Sequence, residues 1–250
     1  MDCKSPDLEH SHCPNEIALR LAQATRHSYL GDFVLGAVDG TVTTFAIVAS
    51  AAGAGLSSGV ALVLGVANVL ADGFSMAAGN YLKAKADKKI VEKYRRIEEK
   101  HIEHMPEGEK EEIRQIFSNK GFEGEVLEKI VEVITSNKQR WVDTMLTEEW
   151  GVQLDPPNET KSALTTMFAF VLAGIVPLVP LVFTVNEASE DVFLISATLT
   201  GFTFFLTGCF RGKISGEKKI LLSGLETLVI GGIAAILAYN VGAFLDGFVN

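Results

Sequence analysis

Residues 31–83 read GDFVLGAVDGTVTTFAIVASAAGAGLSSGVALVLGVANVLADGFSMAAGNYLK, and this stretch decides the fold. Between its charged ends only Asp39 and Asp72 carry charge, and a glycine-rich segment at 52–59 offers one place to turn. A helix that crosses hydrocarbon needs about 20 mainly apolar residues, because no water is there to satisfy an exposed backbone. The stretch therefore predicts a hairpin of two membrane spans, Phe33–Ala54 and Gly59–Leu82.

Three further apolar runs follow. Residues 162–186 and 192–210 contain no charge, and residues 220–245 contain only Glu226. The alternative is a set of buried helices in a large soluble core, but five such runs exceed what a globule of 250 residues can cover. The sequence therefore predicts an all-α polytopic membrane protein with five transmembrane helices. We expect Pro177 and Pro180 to kink the third.

Charge is segregated along the chain. Residues 83–161 hold 15 of the 22 Lys and Arg and 18 of the 31 Asp and Glu, although the whole chain is 48% apolar with a mean hydropathy of +0.25. Three cysteines are too few for a disulfide scaffold, and the net charge of −9 argues against a nucleic-acid partner. No pattern typical of a removed signal peptide precedes the first span.

The basic residues also predict an orientation. With the N-terminus in the cytosol, the outward segments are 52–59, 184–191 and the tail after Leu245, none of which contains Lys or Arg. All 22 basic residues then lie on the cytosolic side, as the positive-inside rule favours. The expected topology places the charged insert inside and the C-terminus outside.

The predicted organisation has four parts. Residues 1–30 form a tail and an amphipathic helix, with Asn15 as its cap and Ile17, Leu21 and Ala24 on one side. Residues 31–82 form spans one and two, residues 83–160 an acidic helical metal-binding domain, and residues 161–250 spans three to five. The tail also holds possible soft metal ligands, although their spacing lacks that of a closed zinc site: Cys3, His10, His12 and Cys13.

The membrane carboxylates are the first functional candidates, because burying Asp39 or Asp72 is costly unless it is protonated, paired or bound to a cation. Two helical faces carry them, one with Asp32, Asp39 and Thr43, the other with Asn68, Asp72, Met76 and Asn80. Gly36 and Gly40 lie beside the first face and let another helix approach. Carboxylates with a thioether favour first-row divalent metals such as Fe²⁺, so we favour a cation path. In the alternative interpretation, Met76 is an ordinary apolar packing residue, and Asn68 and Asn80 form hydrogen bonds between helices.

The charged insert predicts helices at 84–105, 107–118, 125–135 and 137–150, with Pro106 opening the second. Its ligand-type residues fall one turn apart, in pairs that suit one ion: Glu98 and His101, Glu109 and Glu112, Met145 and Glu149. A full di-iron site needs two Glu-x-x-His pairs, and the insert contains only one, Glu98 and His101. Alternatively, these glutamates form a solvated acidic face mixed with Lys100, Lys110 and Arg114.

The run GDFVLGAVDGTVTTFAIVASAAG, followed by ANVLADGFSMAAGNYL and MPEGEKEEI, resembles the vacuolar iron transporter family over nearly the whole chain after Arg26. The resemblance implies a homodimer that exports Fe²⁺ from the cytosol in exchange for protons, along a path between the subunits. It implies translocation roles for Asp39 and Met76 and cytosolic metal binding by Glu98, Glu109, Glu112, Met145 and Glu149. His101 stands where the family commonly has a second glutamate, and Asn68 stands where plant members have a membrane glutamate, so Asp72 is our candidate for the proton carrier.

The sequence thus predicts a divalent-metal/proton antiporter for Fe²⁺, with Mn²⁺, Co²⁺ and Zn²⁺ as further candidate cargoes. It is expected to be no enzyme and to hold no cofactor. Its expected partners are metal ions, protons, the lipid bilayer and a second copy of the chain, in a vacuolar membrane if eukaryotic or a plasma membrane if prokaryotic. The alternative function is a membrane-anchored protein that binds or oxidises iron without transport.

Overall fold

The computed structural model describes residues 13–24, 27–184 and 190–249, and these are mainly helical, with an irregular connection at 149–158. The helices are α1 (Pro14–Ala24), α2 (Leu30–Gly53), α3 (Ser58–His104), α4 (Pro106–Asn119), α5 (Gly124–Thr135), α6 (Lys138–Glu148), α7 (Glu159–Gly174), α8 (Val179–Val182), α9 (Glu190–Ile214) and α10 (Ile220–Val249). A 3₁₀ turn, Val176–Leu178, separates α7 from α8.

Within these described residues, five segments are long and apolar enough to cross a bilayer, which confirms the predicted number of spans: Leu30–Gly53, the first part of Ser58–His104, Glu159–Val182, Asp191–Ile214 and Ile220–Gly247. The chain divides into two compact units. Residues 28–83 and 158–250 form the membrane unit, whereas residues 84–157 and the described residues up to 27 form the acidic unit.

In the membrane unit, α2 packs closely on α7 because glycine removes the side chain from the contact. A Cβ atom on Gly36 would overlap the carbonyl of Thr166, and one on Gly40 would overlap the carbonyl of Phe170. The prediction that this glycine pair admits a neighbouring helix is confirmed, and the neighbour is the third span.

The fifth span meets α2 at the opposite end. A Cβ atom on Gly53 would overlap the carbonyl of Tyr239, and one on Gly242 would overlap the carbonyl of Ser50. The turn into α3 then uses Gly55 at φ 63°, a conformation that costs glycine little. These glycine contacts place the first span between the third span at one end and the fifth span at the other.

The third span is interrupted at its two prolines, where a kink was expected. Helix α7 ends at Gly174, and Pro177 and Pro180 lie in the 3₁₀ turn and the short α8. Proline has no backbone N–H to donate, so a regular ladder cannot continue here. Ser196 of the fourth span donates a 2.7 Å hydrogen bond to the freed carbonyl of Pro177. The break is therefore a stable part of the packing.

Helix α3 continues from the second span into the acidic unit without interruption and ends at His104, in agreement with the prediction of a helix emerging directly from that span. Pro106 occupies the first turn of α4, as predicted. In the acidic unit, Leu127, Val131 and Ile134 of α5 pack with Ile113 and Trp141 around one apolar centre. Their i, i+4, i+7 spacing is that of an amphipathic helix.

Helix α1 begins at Pro14, and the N–H of Ile17 bonds to the carbonyl of Cys13. Asn15 lies inside the first turn, so its prediction as the cap is wrong; proline at the first helical position sets the start instead. Ile17 is half-buried and Leu21 is exposed. Of the proposed tail ligands, Cys3, His10 and His12 lie outside the described residues.

Candidate functional site

Three of the predicted ligand residues meet where α3 turns into α4. Glu98 and His101 lie one turn apart near the end of α3, and Glu109 lies on the first turns of α4. One ligand atom from each residue lies within 4.8 Å of the other two. The Nδ1 atom of His101 is 3.2 Å from Oε1 of Glu109. The short turn around Pro106 brings together residues that the sequence pattern assigned to two separate helices.

Glu98 and Glu109 are buried, which is unusual for carboxylates. Glu98 is 0% exposed and Glu109 is 4% exposed. The indole of Trp150 donates a 2.9 Å hydrogen bond to Oε1 of Glu98, but Oε2 of each glutamate has no hydrogen-bond partner among the described residues. Unpaired buried carboxylate oxygens cost free energy, which a proton or a cation relieves. These two residues are thus no part of a solvated acidic face.

Burial raises the pKa of Glu109 to about 8, and the nearby carboxylates of Glu112, Glu98 and Glu149 add to the effect. The pKa of Glu149 is also raised, first by burial and then by Glu98 and Glu112, against a smaller opposing effect of His101. Closely spaced carboxylates disfavour each other's ionisation. The cluster therefore holds protons more tightly than isolated glutamates do, and a divalent cation that replaces them relieves the repulsion between the carboxylates.

The other predicted ligands lie around this group with different exposure. Glu112 and Glu149 are exposed and are near enough to act on the buried glutamates electrostatically. Met145 is fully buried and packs with Ile113 and Trp141 in the apolar centre of the unit. Within the described residues, the set with mutually close ligand atoms is Glu98, His101 and Glu109.

In the membrane unit, the two predicted polar faces meet. Asn68 of α3 donates a 3.4 Å hydrogen bond to the hydroxyl of Thr43 on α2, which donates a 2.9 Å bond to the carbonyl of Asp39. The carboxylates of Asp39 and Asp72 are close enough to repel each other. Together with Met76 on α3, these residues are half-buried. The arrangement leaves the carboxylates partly open at the surface of the unit.

Asn80 belongs to a different cluster. Its amide donates to Oδ1 of Asp32 at 3.2 Å and to the hydroxyl of Thr166 at 2.5 Å, and Ser162 donates to Oδ2 of Asp32 at 2.6 Å. These bonds connect the first, second and third spans. Ser162 and Thr166 were not among the predicted site residues, although their i, i+4 spacing at the start of an otherwise apolar span indicates a polar edge.

The donor set of the acidic unit favours borderline metals. Two carboxylates and an imidazole suit first-row divalent cations better than the hard ions Mg²⁺ and Ca²⁺. Within the described residues, one Glu-x-x-His pair is present, whereas di-iron oxidation centres use two such pairs with two further carboxylates. Metal binding fits this geometry better than oxygen chemistry.

Comparison with known proteins gives the same family as the sequence motifs. A family model described as the VIT family matches residues 30–243, which include the first four spans and most of the fifth. A vacuolar iron transporter of Toxoplasma gondii is 34% identical over 230 residues, covering 89% of this chain and 76% of that protein.

Two plant proteins match to a similar degree. Vacuolar iron transporter 1 of Arabidopsis thaliana is 34% identical over 209 residues, 83% of this chain and 82% of that protein. Vacuolar iron transporter 1 of Oryza sativa subsp. japonica is 30% identical over 239 residues, 95% of this chain and 91% of that protein. The family match extends over the first four spans, most of the fifth and the acidic unit between the second and third, and the chain therefore belongs to the VIT family of multi-pass membrane proteins.

Proposed function

We propose that this protein transports Fe²⁺ across a membrane, collecting it first at Glu98, His101 and Glu109. The observation that carries the proposal is the pair of buried glutamates, each with an unpartnered oxygen, within 4.8 Å of an imidazole nitrogen. A protein whose only need is stability gains nothing from that arrangement. The names of its relatives, vacuolar iron transporters, support iron as the cargo.

Glu112 and Glu149 add negative charge at the exposed side of the cluster, and the thioether of Met145 supplies a soft donor beside it in this proposal. Exposed carboxylates raise the local concentration of a divalent cation. The acidic unit faces the cytosol in the proposed topology, because all 22 basic residues then lie inside. Metal would enter from the cytosol and leave on the other side, which is the lumen in a vacuolar membrane.

The proposed membrane path uses Asp39, Asp72 and Met76, with Thr43 and Asn68 beside them and Asn80 near the cytosolic end. Repulsion between Asp39 and Asp72 favours occupation by either a cation or a proton. Because one carboxylate oxygen pair cannot hold both at once, proton arrival from an acidic outer compartment releases the metal. This is the basis for proposing exchange of Fe²⁺ for protons.

A second copy of the chain completes the path in this proposal. The half-buried carboxylates of Asp39 and Asp72 are not fully covered within one subunit. On α3, the large apolar side chains of Val63 and Phe74 are 68% and 69% exposed. Pairing of two such surfaces would enclose the polar residues and shield them from lipid.

Flux in reconstituted vesicles tests the proposal. We expect purified protein to take up Fe²⁺ when the receiving compartment is acidic, with opposite movement of protons, and Mn²⁺ to be carried in a parallel assay. The competing function, iron binding or oxidation without transport, predicts Fe²⁺ binding, with or without oxygen consumption, and no uptake. Vesicles without protein measure the passive leak of Fe²⁺ and protons.

A separate experiment tests the coupling of Fe²⁺ uptake to proton movement. We expect Asp72→Asn to reduce metal-driven proton movement, since the amide cannot carry a proton. Unchanged proton movement with intact Fe²⁺ uptake would remove Asp72 from the proposal and leave the transport function standing.

A further inference from the structure

A cavity of about 350 Å³ lies in the membrane unit between the first turns of α2 and the end of α9. Leu30, Val34 and Val38 line it from α2, and Arg211 and Ile214 line it from α9. Phe33 and Phe210 form an edge-to-face contact, with ring centroids 5.8 Å apart, that joins the same two helices. The cavity is of the size of ordinary ligand pockets, which span roughly 300–1,000 Å³.

Arg211 and Ser215 are the polar residues that line this cavity, and the donors of Arg211 are only partly used. Its side chain is 33% exposed and pairs through one terminal nitrogen with Glu226 of α10. Its Nε atom is buried and has no acceptor among the described residues. A guanidinium offers five N–H donors in a plane that matches phosphate oxygens.

The segment that follows Arg211 is basic. Lys213, Lys218 and Lys219 are exposed, and none of them pairs with an acidic side chain in the part of the chain that the structure describes. Glu217, in the same turn, accepts a hydrogen bond from Ser223. The charge at this end of α9 is therefore positive, immediately beside an apolar cavity at the end of two membrane spans.

We propose that this cavity binds an anionic phospholipid, with its phosphate on the guanidinium of Arg211 and the upper part of an acyl chain along Leu30, Val34 and Val38. Basic pockets between spans at a membrane surface are suited to lipid headgroups. Leu30 and Leu35, which is also part of the lining, are 42% and 50% exposed, so the cavity opens to the hydrocarbon around the first span. A soluble anion would leave those apolar walls unfilled.

The test measures thermal stability of the full chain in a neutral detergent, with phosphatidylglycerol or phosphatidylcholine added at equal amounts. A ligand that binds the folded state raises the unfolding midpoint, and we expect phosphatidylglycerol to raise it by about 5 °C more than phosphatidylcholine. Arg211→Gln should lose most of that difference. Lys161→Gln, which removes an exposed cation at the start of α7, should keep it.

Two further variants separate the lipid from loss of the ion pair. Glu226→Gln breaks the pair but leaves Arg211 in place, so it should keep the preference for phosphatidylglycerol. Gly31→Leu adds a bulky side chain to the lining, at a position where a Cβ atom meets no other atom within 4 Å, and should lose the preference with all charges intact. An equal shift for Arg211→Gln and the unmodified protein, or the same shift from inorganic phosphate alone, would overturn the proposal.

Discussion

The indole nitrogen of Trp150 donates a 2.9 Å hydrogen bond to Oε1 of Glu98, the most deeply buried carboxylate in the acidic unit. Trp150 also stacks on Tyr94, with ring centroids 4.0 Å apart. The bond fixes Oε1 of Glu98, whereas its Oε2 has no hydrogen-bond partner among the described residues, and one carboxylate oxygen of Glu98 lies within 4.8 Å of ligand atoms of His101 and Glu109. A metal at this cluster therefore lies next to a fluorescent side chain.

We expect Mn²⁺ or Fe²⁺ to quench Trp150 fluorescence, and Glu98→Gln to weaken the apparent affinity by roughly tenfold or more, because a buried charged ligand is lost. Fluorescence titration of the full chain measures both. Glu132→Gln removes an exposed charge in the same unit and should leave the affinity unchanged. Trp150→Phe shows whether Trp150 is the residue that is quenched, since Trp141 then provides the only remaining indole fluorescence. Equal affinities for Glu98→Gln and Glu132→Gln would contradict the assignment of Glu98.

Metal affinity should decrease as the pH is lowered. Because the pKa of Glu109 is raised to about 8, this group holds a proton below that pH, and the metal must displace it. Displacement of one proton weakens binding by up to about tenfold per pH unit as pH falls from 8 to 6. Titrations at pH 6, 7 and 8 measure the slope, which Glu109→Gln should flatten. A constant affinity over this range would show that no proton is displaced.

The same raised pKa predicts the stability of the metal-free protein. An unfolded glutamate ionises near pH 4.5, whereas folded Glu109 ionises near 8, so the folded state binds more protons between these values. The metal-free acidic unit should therefore lose stability as pH rises from 4.5 to 8, and saturating Mn²⁺ should restore it. Thermal unfolding with and without the ion tests this, and Glu109→Gln should lack the pH trend.

Asp39→Asn should abolish most Fe²⁺ uptake in vesicles, because the amide keeps the size of the side chain but loses its charge. Binding of metal to the acidic unit should persist, as measured by Trp150 fluorescence. Asp155→Asn, an exposed position outside the spans, serves as the matched control. If Asp39→Asn takes up Fe²⁺ at the rate of the unmodified protein, Asp39 is not part of the transport path.

Asn80→Leu should destabilise the protein by about 1 kcal/mol, since it removes the bonds to Asp32 and Thr166 that join three spans. We expect Fe²⁺ uptake per folded molecule to fall less than in Asp39→Asn, because Asn80 lies at the cytosolic end of the proposed path and carries no charge. Asn240→Ala removes only a bond to the carbonyl of Ile236 in its own helix and should have a smaller effect. Unfolding in mixed micelles supplies the free energies.

Gly40→Ala should be strongly destabilising, because its methyl group would overlap the carbonyl of Phe170 and force α2 away from α7. Gly79→Ala is the control, since no atom lies within 4 Å of its added carbon. A loss of roughly 2 kcal/mol or more is expected at Gly40 and little change at Gly79. Similar stabilities of the two variants would contradict the close helix contact.

The sequence by itself determined the five spans, the proline break and the continuous α3. Each follows from local rules: apolar length, the missing N–H of proline and helical spacing, which neighbouring elements do not alter. The motifs around Asp39, Met76 and residues 105–113 also identified the family.

Only the tertiary structure decided which acidic residues are buried. Glu109 and Glu112 are both glutamates and lie one turn apart on α4, so the sequence does not distinguish them. In the structure Glu109 is buried beside Glu98 and Glu112 is exposed, because burial depends on how α4 folds back after Pro106. The same holds for Asn68 and Asn80, which lie on one predicted face of α3. In the structure Asn80 bonds to Asp32 and Thr166, whereas Asn68 bonds to Thr43. Spacing places side chains on a face of one helix, but the partner opposite that face is set by the packing of distant segments.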